Sequence, residues 1–131
     1  MTILIWSLLG ATVLVYLSKV PMNYLTVKQQ TFDNHQPRLQ QLTLTGIGHR
    51  AYAAHQNTLE AYPMFVAGIF VAETMANDLF WSGVFAISFL ITRVFFIIFY
   101  LADLASLRSF SWGIGYLAVI GLMLSPLLPG S

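Results

Sequence analysis

The chain has 131 residues, of which 57% are hydrophobic and 8% are charged, and its formal net charge is +1. Globular domains carry about 25% charged residues, so this composition argues against a water-soluble domain and indicates an integral membrane protein. The small net charge and the lack of basic runs argue against a nucleic-acid partner. Without cysteine there is no disulfide, thiolate metal site or cysteine nucleophile.

The first predicted element is a membrane-spanning helix over residues 2–22. A helical span needs about 20 mostly apolar residues, and this run ends near Lys19 and Pro21. No basic residue precedes the apolar run, so we expect a retained helix rather than a cleaved signal peptide. Residues 23–46 form the most polar stretch of the chain and are not expected to span the bilayer.

Three further apolar runs complete a predicted all-α fold, a bundle of four transmembrane helices in a single domain, residues 1–131. The runs are too long and too continuously apolar for barrel strands, and helices are the other structure that can cross lipid. The expected spans lie over residues 47–76, 79–101 and 112–128. A short turn separates the second span from the third, and the stretch "ADLASLRSFSW" is expected to be a polar connection to the fourth.

The positions of lysine and arginine predict the orientation. Basic residues concentrate in loops one and three and their flanks, whereas loop two carries acidic residues and no basic one. Cytoplasmic loops carry the excess of lysine and arginine. Loops one and three are therefore predicted to be cytoplasmic, with both termini on the opposite side. The residues concerned are Lys19, Lys28, Arg38, Arg50 and Arg108.

The densest polar cluster, "GHRAYAAHQNTLEAYP", opens the second predicted span. At about 100° per residue, Arg50, Asn57 and Glu60 share one stripe with small residues. Small residues let helices approach closely in lipid, and polar ones hydrogen-bond across the contact. His55 falls off the stripe and is interpreted as a packing or interfacial residue. No histidine has ligand spacing with an acidic partner, so no metal site is predicted.

Two ionisable residues inside the second and third spans are predicted to pair. Glu60 lies about 17 residues before the turn near Asn77, and Arg93 about 16 residues after it, which places both at the same depth to within roughly 2 Å. Charges inside a membrane usually face a partner. We expect a Glu60–Arg93 ion pair, within a subunit or across an oligomer interface. The pair would either link the two helices structurally or take part in binding a ligand.

Several arginines lie toward one end of the predicted bundle and could form an anionic-ligand pocket there. Arg38, Arg50, Arg93 and Arg108 would suit a small carboxylate-bearing ligand through bidentate contacts. Tyr100 is either an interfacial aromatic residue or a pocket hydroxyl. Arg108 is explained as well by membrane anchoring as by anion binding.

The segment "RAYAAHQNTLEAYPMF" resembles the hallmark region of the MAPEG proteins, the membrane-associated proteins in eicosanoid and glutathione metabolism. "RVFFIIFY" and the arginine that opens the fourth helix are similar to that family as well. The resemblance implies a homotrimer in the lipid bilayer, with glutathione bound between neighbouring subunits near the cytoplasmic side. Many members are glutathione transferases, peroxidases or isomerases that act on lipophilic substrates.

The resemblance also implies roles for individual residues. Asn57, Glu60 and Tyr100 match positions that contact glutathione, and Arg93 matches the arginine that pairs with the glutamate. Arg108 resembles the arginine held to stabilise the glutathione thiolate. A cation near sulfur lowers the pKa of a thiol and raises the fraction of nucleophilic thiolate.

Two departures from the family pattern leave two functions open. Ala53 stands where glutathione-using members have an arginine, and Phe96 stands where they have histidine or tyrosine. Arg50 or Arg38 could compensate for the lost ligands. The resemblance then implies a glutathione-dependent transferase or peroxidase acting on lipophilic electrophiles. The alternative is a non-catalytic binding or structural membrane protein with a degenerate glutathione pocket. A small drug exporter is disfavoured because the first span lacks an acidic residue.

Overall fold

A computed structural model of the chain describes residues 2–129, and within that range the regular secondary structure is helical. Four helices are long and one is short. They are α1 (Ile3–Gln29), α2 (Pro37–Leu42), α3 (Ile47–Met75), α4 (Phe80–Leu101) and α5 (Ala105–Leu124), and a 3₁₀ turn (Ser125–Leu127) follows α5.

Helix α1 is longer than the predicted span and passes through Pro21 to end at Gln29. Proline removes one backbone hydrogen bond, but it does not end a helix whose other bonds are kept by surrounding structure. Thr2 caps the N-terminus, since its Oγ1 accepts a hydrogen bond from the backbone N–H of Ile5 at 3.3 Å. The extension carries Lys28 one helical turn or more beyond the apolar run.

Helix α5 begins at Ala105, so the expectation of a polar connection up to Trp112 was wrong over most of its length. The connection consists of residues 102–104, and Asp103 adopts a left-handed conformation with φ of 60°. Serines suggested a loop here, but polar side chains carry little penalty in the first turns of a helix at a membrane surface. Composition therefore did not mark the helix start.

Helix α1 lies antiparallel to α3 and is joined to it by side-chain hydrogen bonds at three levels. They are Thr2 Oγ1 to Glu73 Oε2 at 2.9 Å, Thr12 Oγ1 with Tyr62 Oη at 2.7 Å, and Ser18 Oγ with His55 Nδ1 at 2.8 Å. His55 is thus a buried packing residue in this chain. The polar groups satisfy one another between the helices, as polar groups in lipid must.

Helices α4 and α5 form the other close pair, and α3 contacts both of them. Phe65 of α3 stacks on Phe89 of α4 with ring centroids 4.2 Å apart, and both side chains are buried. At the far end, Ser82 Oγ donates to Ser125 Oγ at 2.9 Å, which ties the start of α4 to the end of α5. The core of the bundle therefore lies where α3 meets the α4–α5 pair, and Leu4 and Ala11 of α1 pack into the same cluster.

Three of the described helical segments are long and apolar enough to cross a membrane by length and composition. They are α1, α4 and residues 105–127. Helix α3 is 29 residues long, but its charged side chains lower its mean hydropathy. These residues are Arg50, Glu60 and Glu73.

Candidate functional site

Two neighbouring cavities, which share lining residues, lie between α3, α4 and α5. The polar cavity, of about 260 Å³, is lined by Asn57, Phe96, Tyr100, Arg108, Ser109 and Trp112. The apolar cavity, of about 290 Å³, shares Asn57 and Trp112 with it and continues along the apolar parts of the three helices. Together they form a cleft with a cationic end and an apolar end.

Arg93 is the buried charge of this cleft, and the residue is 4% exposed. Its Nη1 donates to Asn57 Oδ1 at 2.7 Å. The guanidinium also lies over two aromatic rings, 4.5 Å from the centroid of Phe96 and 5.6 Å from that of Phe89. The buried guanidinium is therefore held by one charge-assisted hydrogen bond and two cation–π contacts.

Glu60 and Arg93 line the same apolar cavity, in agreement with the equal depth predicted by counting residues from the turn near Asn77. No ion pair joins them within residues 2–129, and Arg93 instead bonds Asn57, one helical turn before Glu60. The intrachain form of the predicted pair was therefore wrong, because Asn57 on the same stripe occupies that side of the guanidinium. Glu60 is exposed in the single chain, and the pair across an oligomer interface stays a prediction.

Tyr100 and Arg108 come together in the wall of the polar cavity. The Arg108 guanidinium lies over the Tyr100 ring, 4.5 Å from its centroid, and Phe96 meets the same ring edge-on at 5.5 Å. Arg108 lies in the first turns of α5 because that helix begins at Ala105. The early start of α5 therefore brings Arg108 close to Asn57.

Arg50 and Arg38, the other candidate ligand residues, line neither cavity of the cleft. Arg50 Nη2 donates to the backbone carbonyl of Leu101 at 3.5 Å. Arg38 belongs to a separate surface groove of about 640 Å³ between α1, α2 and α3, which Lys19 and His55 also line. The structure brings Asn57, Tyr100 and Arg108 together within one chain and places Arg38 on a different face.

The cleft includes residues that the sequence reasoning missed. Ser109 and Trp112 line the polar cavity, and Tyr116 lines the apolar one. Trp112 and Tyr116 follow Arg108 at intervals of four residues, which puts the three on one helical face. The expected membrane span began only at Trp112 and left Arg108 before it, so the face that Arg108 shares with Trp112 and Tyr116 was not recognised.

The chemistry of the cleft follows from its two ends. Arg108, the hydroxyl of Tyr100 and the amide of Asn57 can bind carboxylate or thiolate groups, and Glu60 can accept a bond from an ammonium group. The apolar end can hold a lipophilic molecule beside them. Within residues 2–129 no group of three or more acidic or histidine residues could hold a metal ion.

Comparison with known proteins gives one match. A family model described as the MAPEG family matches residues 3–128, nearly the whole chain. The searches of curated proteins and of solved structures found no match.

Proposed function

The chain belongs to the MAPEG family, and from this membership we propose that it is a homotrimeric glutathione-dependent transferase or peroxidase acting on lipophilic electrophiles. The observation that carries the proposal is that the polar and the apolar cavity lie side by side. Asn57 and Trp112 line both cavities, so a thiol bound at the cationic end would lie next to a lipophilic molecule at the apolar end.

Four membrane-spanning helices are part of this proposal, with α3 as the fourth. Its 29 residues extend roughly 44 Å at 1.5 Å per residue, which exceeds the hydrocarbon core of about 30 Å. The polar side chains of α3 would then face protein rather than lipid. Asn57 already faces protein in the single chain, where its Oδ1 accepts a hydrogen bond from Arg93.

A neighbouring subunit would cover the remaining charge. Glu60 is exposed in the single chain at the level of the apolar cavity, and a lone carboxylate facing lipid is unfavourable. A homotrimer would bury Glu60 at the subunit interface, where it could pair with Arg93. Arg38 would reach the cleft only from a neighbouring chain, since in its own chain it lines the separate groove.

The basic end of the bundle is proposed to face the cytoplasm. Lysines and arginines cluster where α1 ends, α3 begins and α4 gives way to α5, whereas Glu73 and Asp78 lie toward the opposite end. Loops one and three are then cytoplasmic and both termini lie on the other side. A water-soluble thiol such as glutathione would enter the polar cavity from the cytoplasm.

In the proposed transferase reaction, Arg108 stabilises the thiolate of glutathione. Asn57, Glu60 and Tyr100 would contact the tripeptide, Arg38 could add a contact from a neighbouring chain, and Arg50 would support the site from outside the cleft. The thiol proton passes to solvent, the sulfur forms a bond to an electrophilic carbon in the apolar cavity, and the leaving group departs with its electron pair. Arg108 raises the rate because a nearby cation increases the fraction of thiolate.

A specific observation favours the alternative, a non-catalytic membrane protein with a degenerate pocket. Phe96 is 3% exposed and packs against Tyr100 and the guanidinium of Arg93. This position therefore offers an apolar ring instead of a polar ligand. The side-chain oxygen of Asn57 already accepts a hydrogen bond from Arg93, which leaves fewer groups free to bind a tripeptide.

Conjugation of glutathione to an aryl halide by purified protein in detergent tests the proposal. We expect glutathione-dependent conjugation by the wild type and at least about a tenfold loss of rate for Arg108→Gln, since a group that acts on the reacting sulfur contributes at least that much. Lys28→Gln is the matched control, because Lys28 is an exposed cation outside the cleft. Glutathione binding without conjugation would favour the non-catalytic alternative.

A further inference from the structure

Arg50 lies where the beginning of α3 meets the end of α4. Its Nη2 donates to the Leu101 carbonyl at 3.5 Å, and its Nε is buried without a hydrogen-bond partner in the described part of the chain. The last carbonyls of a helix lack intrahelical partners and carry partial negative charge. The guanidinium is thus directed at the C-terminus of α4 and not into the cleft.

The turn that follows α4 contains a strained residue. Asp103 has φ of 60°, a conformation that glycine adopts readily and other L-residues rarely. The turn is closed by backbone bonds from Ala102 N to Ile98 O and from Leu104 N to Phe99 O, each 2.9 Å. With aspartate at this position, the local backbone alone favours the turn less than glycine would, so a contact from another helix matters more.

Two residues of the proposed binding site flank this turn. Tyr100 precedes the turn and Arg108 follows it. The Arg108 guanidinium lies 4.5 Å from the centroid of the Tyr100 ring, in the wall of the polar cavity. A shift of the turn would therefore move both groups relative to Asn57, which is fixed on α3 by its bond to Arg93.

We propose that Arg50 is a positioning residue that fixes the α4–α5 turn through the Leu101 carbonyl and so holds Tyr100 and Arg108 at the polar cavity. The inference rests on the proposed function for the identity of the ligand, glutathione. It assigns to Arg50 a role through the turn, in place of direct contact with the ligand.

The test combines Arg50→Met with Asp103→Gly, in purified full-length protein in detergent. Arg50→Met removes the donor and the charge with little loss of volume, and we expect it to weaken glutathione binding by about threefold to tenfold and to speed amide hydrogen exchange at residues 102–104. Adding Asp103→Gly relieves the backbone strain, so the double variant should recover part of the lost affinity and exchange protection. Lys28→Met is the control for net charge and should change neither quantity.

The outcomes separate the two claims. Unchanged hydrogen exchange at residues 102–104 in Arg50→Met would overturn the positioning role. A loss of glutathione affinity that Asp103→Gly does not restore would also overturn it, and would indicate that Arg50 touches the ligand. If the wild type binds no glutathione, the proposed function fails. The exchange rates alone then still decide whether Arg50 holds the turn.

Discussion

The hydrogen bond from Arg93 to Asn57 makes Asn57→Leu the substitution that most directly probes the contact between α3 and α4. Leucine keeps the volume of the side chain and removes the oxygen that lies 2.7 Å from Arg93 Nη1. Arg93, which is 4% exposed, then remains a buried charge without that partner. Its ring contacts with Phe96 and Phe89 would be unchanged.

The expected loss of stability follows from these contacts. A hydrogen bond to a charged group contributes about 1.5–3 kcal/mol, and leaving a buried donor without its partner costs about 1–3 kcal/mol, or more when the donor is charged. The cation–π contacts retain about 0.5–2 kcal/mol of stabilisation for the guanidinium. We therefore expect Asn57→Leu to lower the free energy of unfolding by about 2–4 kcal/mol.

A double-mutant cycle with Arg93→Met measures the interaction itself. Unfolding in mixed detergent micelles, followed by tryptophan fluorescence, should give a coupling energy of about 1.5–3 kcal/mol. Neutral hydrogen bonds between membrane helices average about 0.6 kcal/mol and reach about 1.7 kcal/mol, so a value above that range indicates a charge-assisted bond. Additive effects within about 0.5 kcal/mol would refute the reasoning.

Glu60→Gln in the same cycle tests the partner proposed for Arg93, Glu60, beside the partner observed in the single chain, Asn57. If a neighbouring subunit brings Glu60 to Arg93, Glu60→Gln should weaken both stability and trimer assembly while Arg93 is present, and should have little effect in Arg93→Met. A variant Glu60→Gln that assembles and unfolds like the wild type would contradict the pair across the interface.

Two further predictions concern helix packing, and both are measured as free energies of unfolding. A Cβ at Gly68 would lie 3.0 Å from Leu122 Cβ, so Gly68→Val should destabilise by about 1–3 kcal/mol. Gly113→Val, where a Cβ meets no atom of residues 2–129 within 4 Å, should not destabilise, and equal losses at the two positions would contradict close packing of α3 on α5. Tyr62→Phe removes the hydroxyl 2.7 Å from Thr12 Oγ1 and should cost about 0.6–1.7 kcal/mol. An unchanged unfolding energy there would mean that this bond does not stabilise the α1–α3 contact.

Apolar run length and residue counting predicted much of the fold. The runs predicted a helical chain, and three of the described helical segments are long and apolar enough to cross a membrane. Counting from the turn near Asn77 brought Glu60 and Arg93 to one cavity wall. Counting fixes depth along a helix, but it does not decide between side chains one turn apart. Asn57 and Glu60 share a stripe, and the conformation of the Arg93 side chain selected Asn57.

The start of α5 and the place of Arg38 could not be obtained in this way. Serines between Ala105 and Trp112 gave a loop-like composition, although the tight turn at Asp103 starts the helix earlier. Arg38 is distant in sequence from the cleft residues, and its position depends on how α2 packs beside α1 and α3. Such packing has no simple periodic signal in the sequence.

Calorimetric titration of glutathione into the purified protein tests most directly whether the cleft between α3, α4 and α5 is a glutathione site. We expect saturable binding by the wild type at or below millimolar glutathione, and about a tenfold higher Kd for Arg108→Gln, because the cation proposed to lie beside the thiolate is lost. No binding by the wild type at millimolar glutathione, or the same Kd in both proteins, would contradict the site.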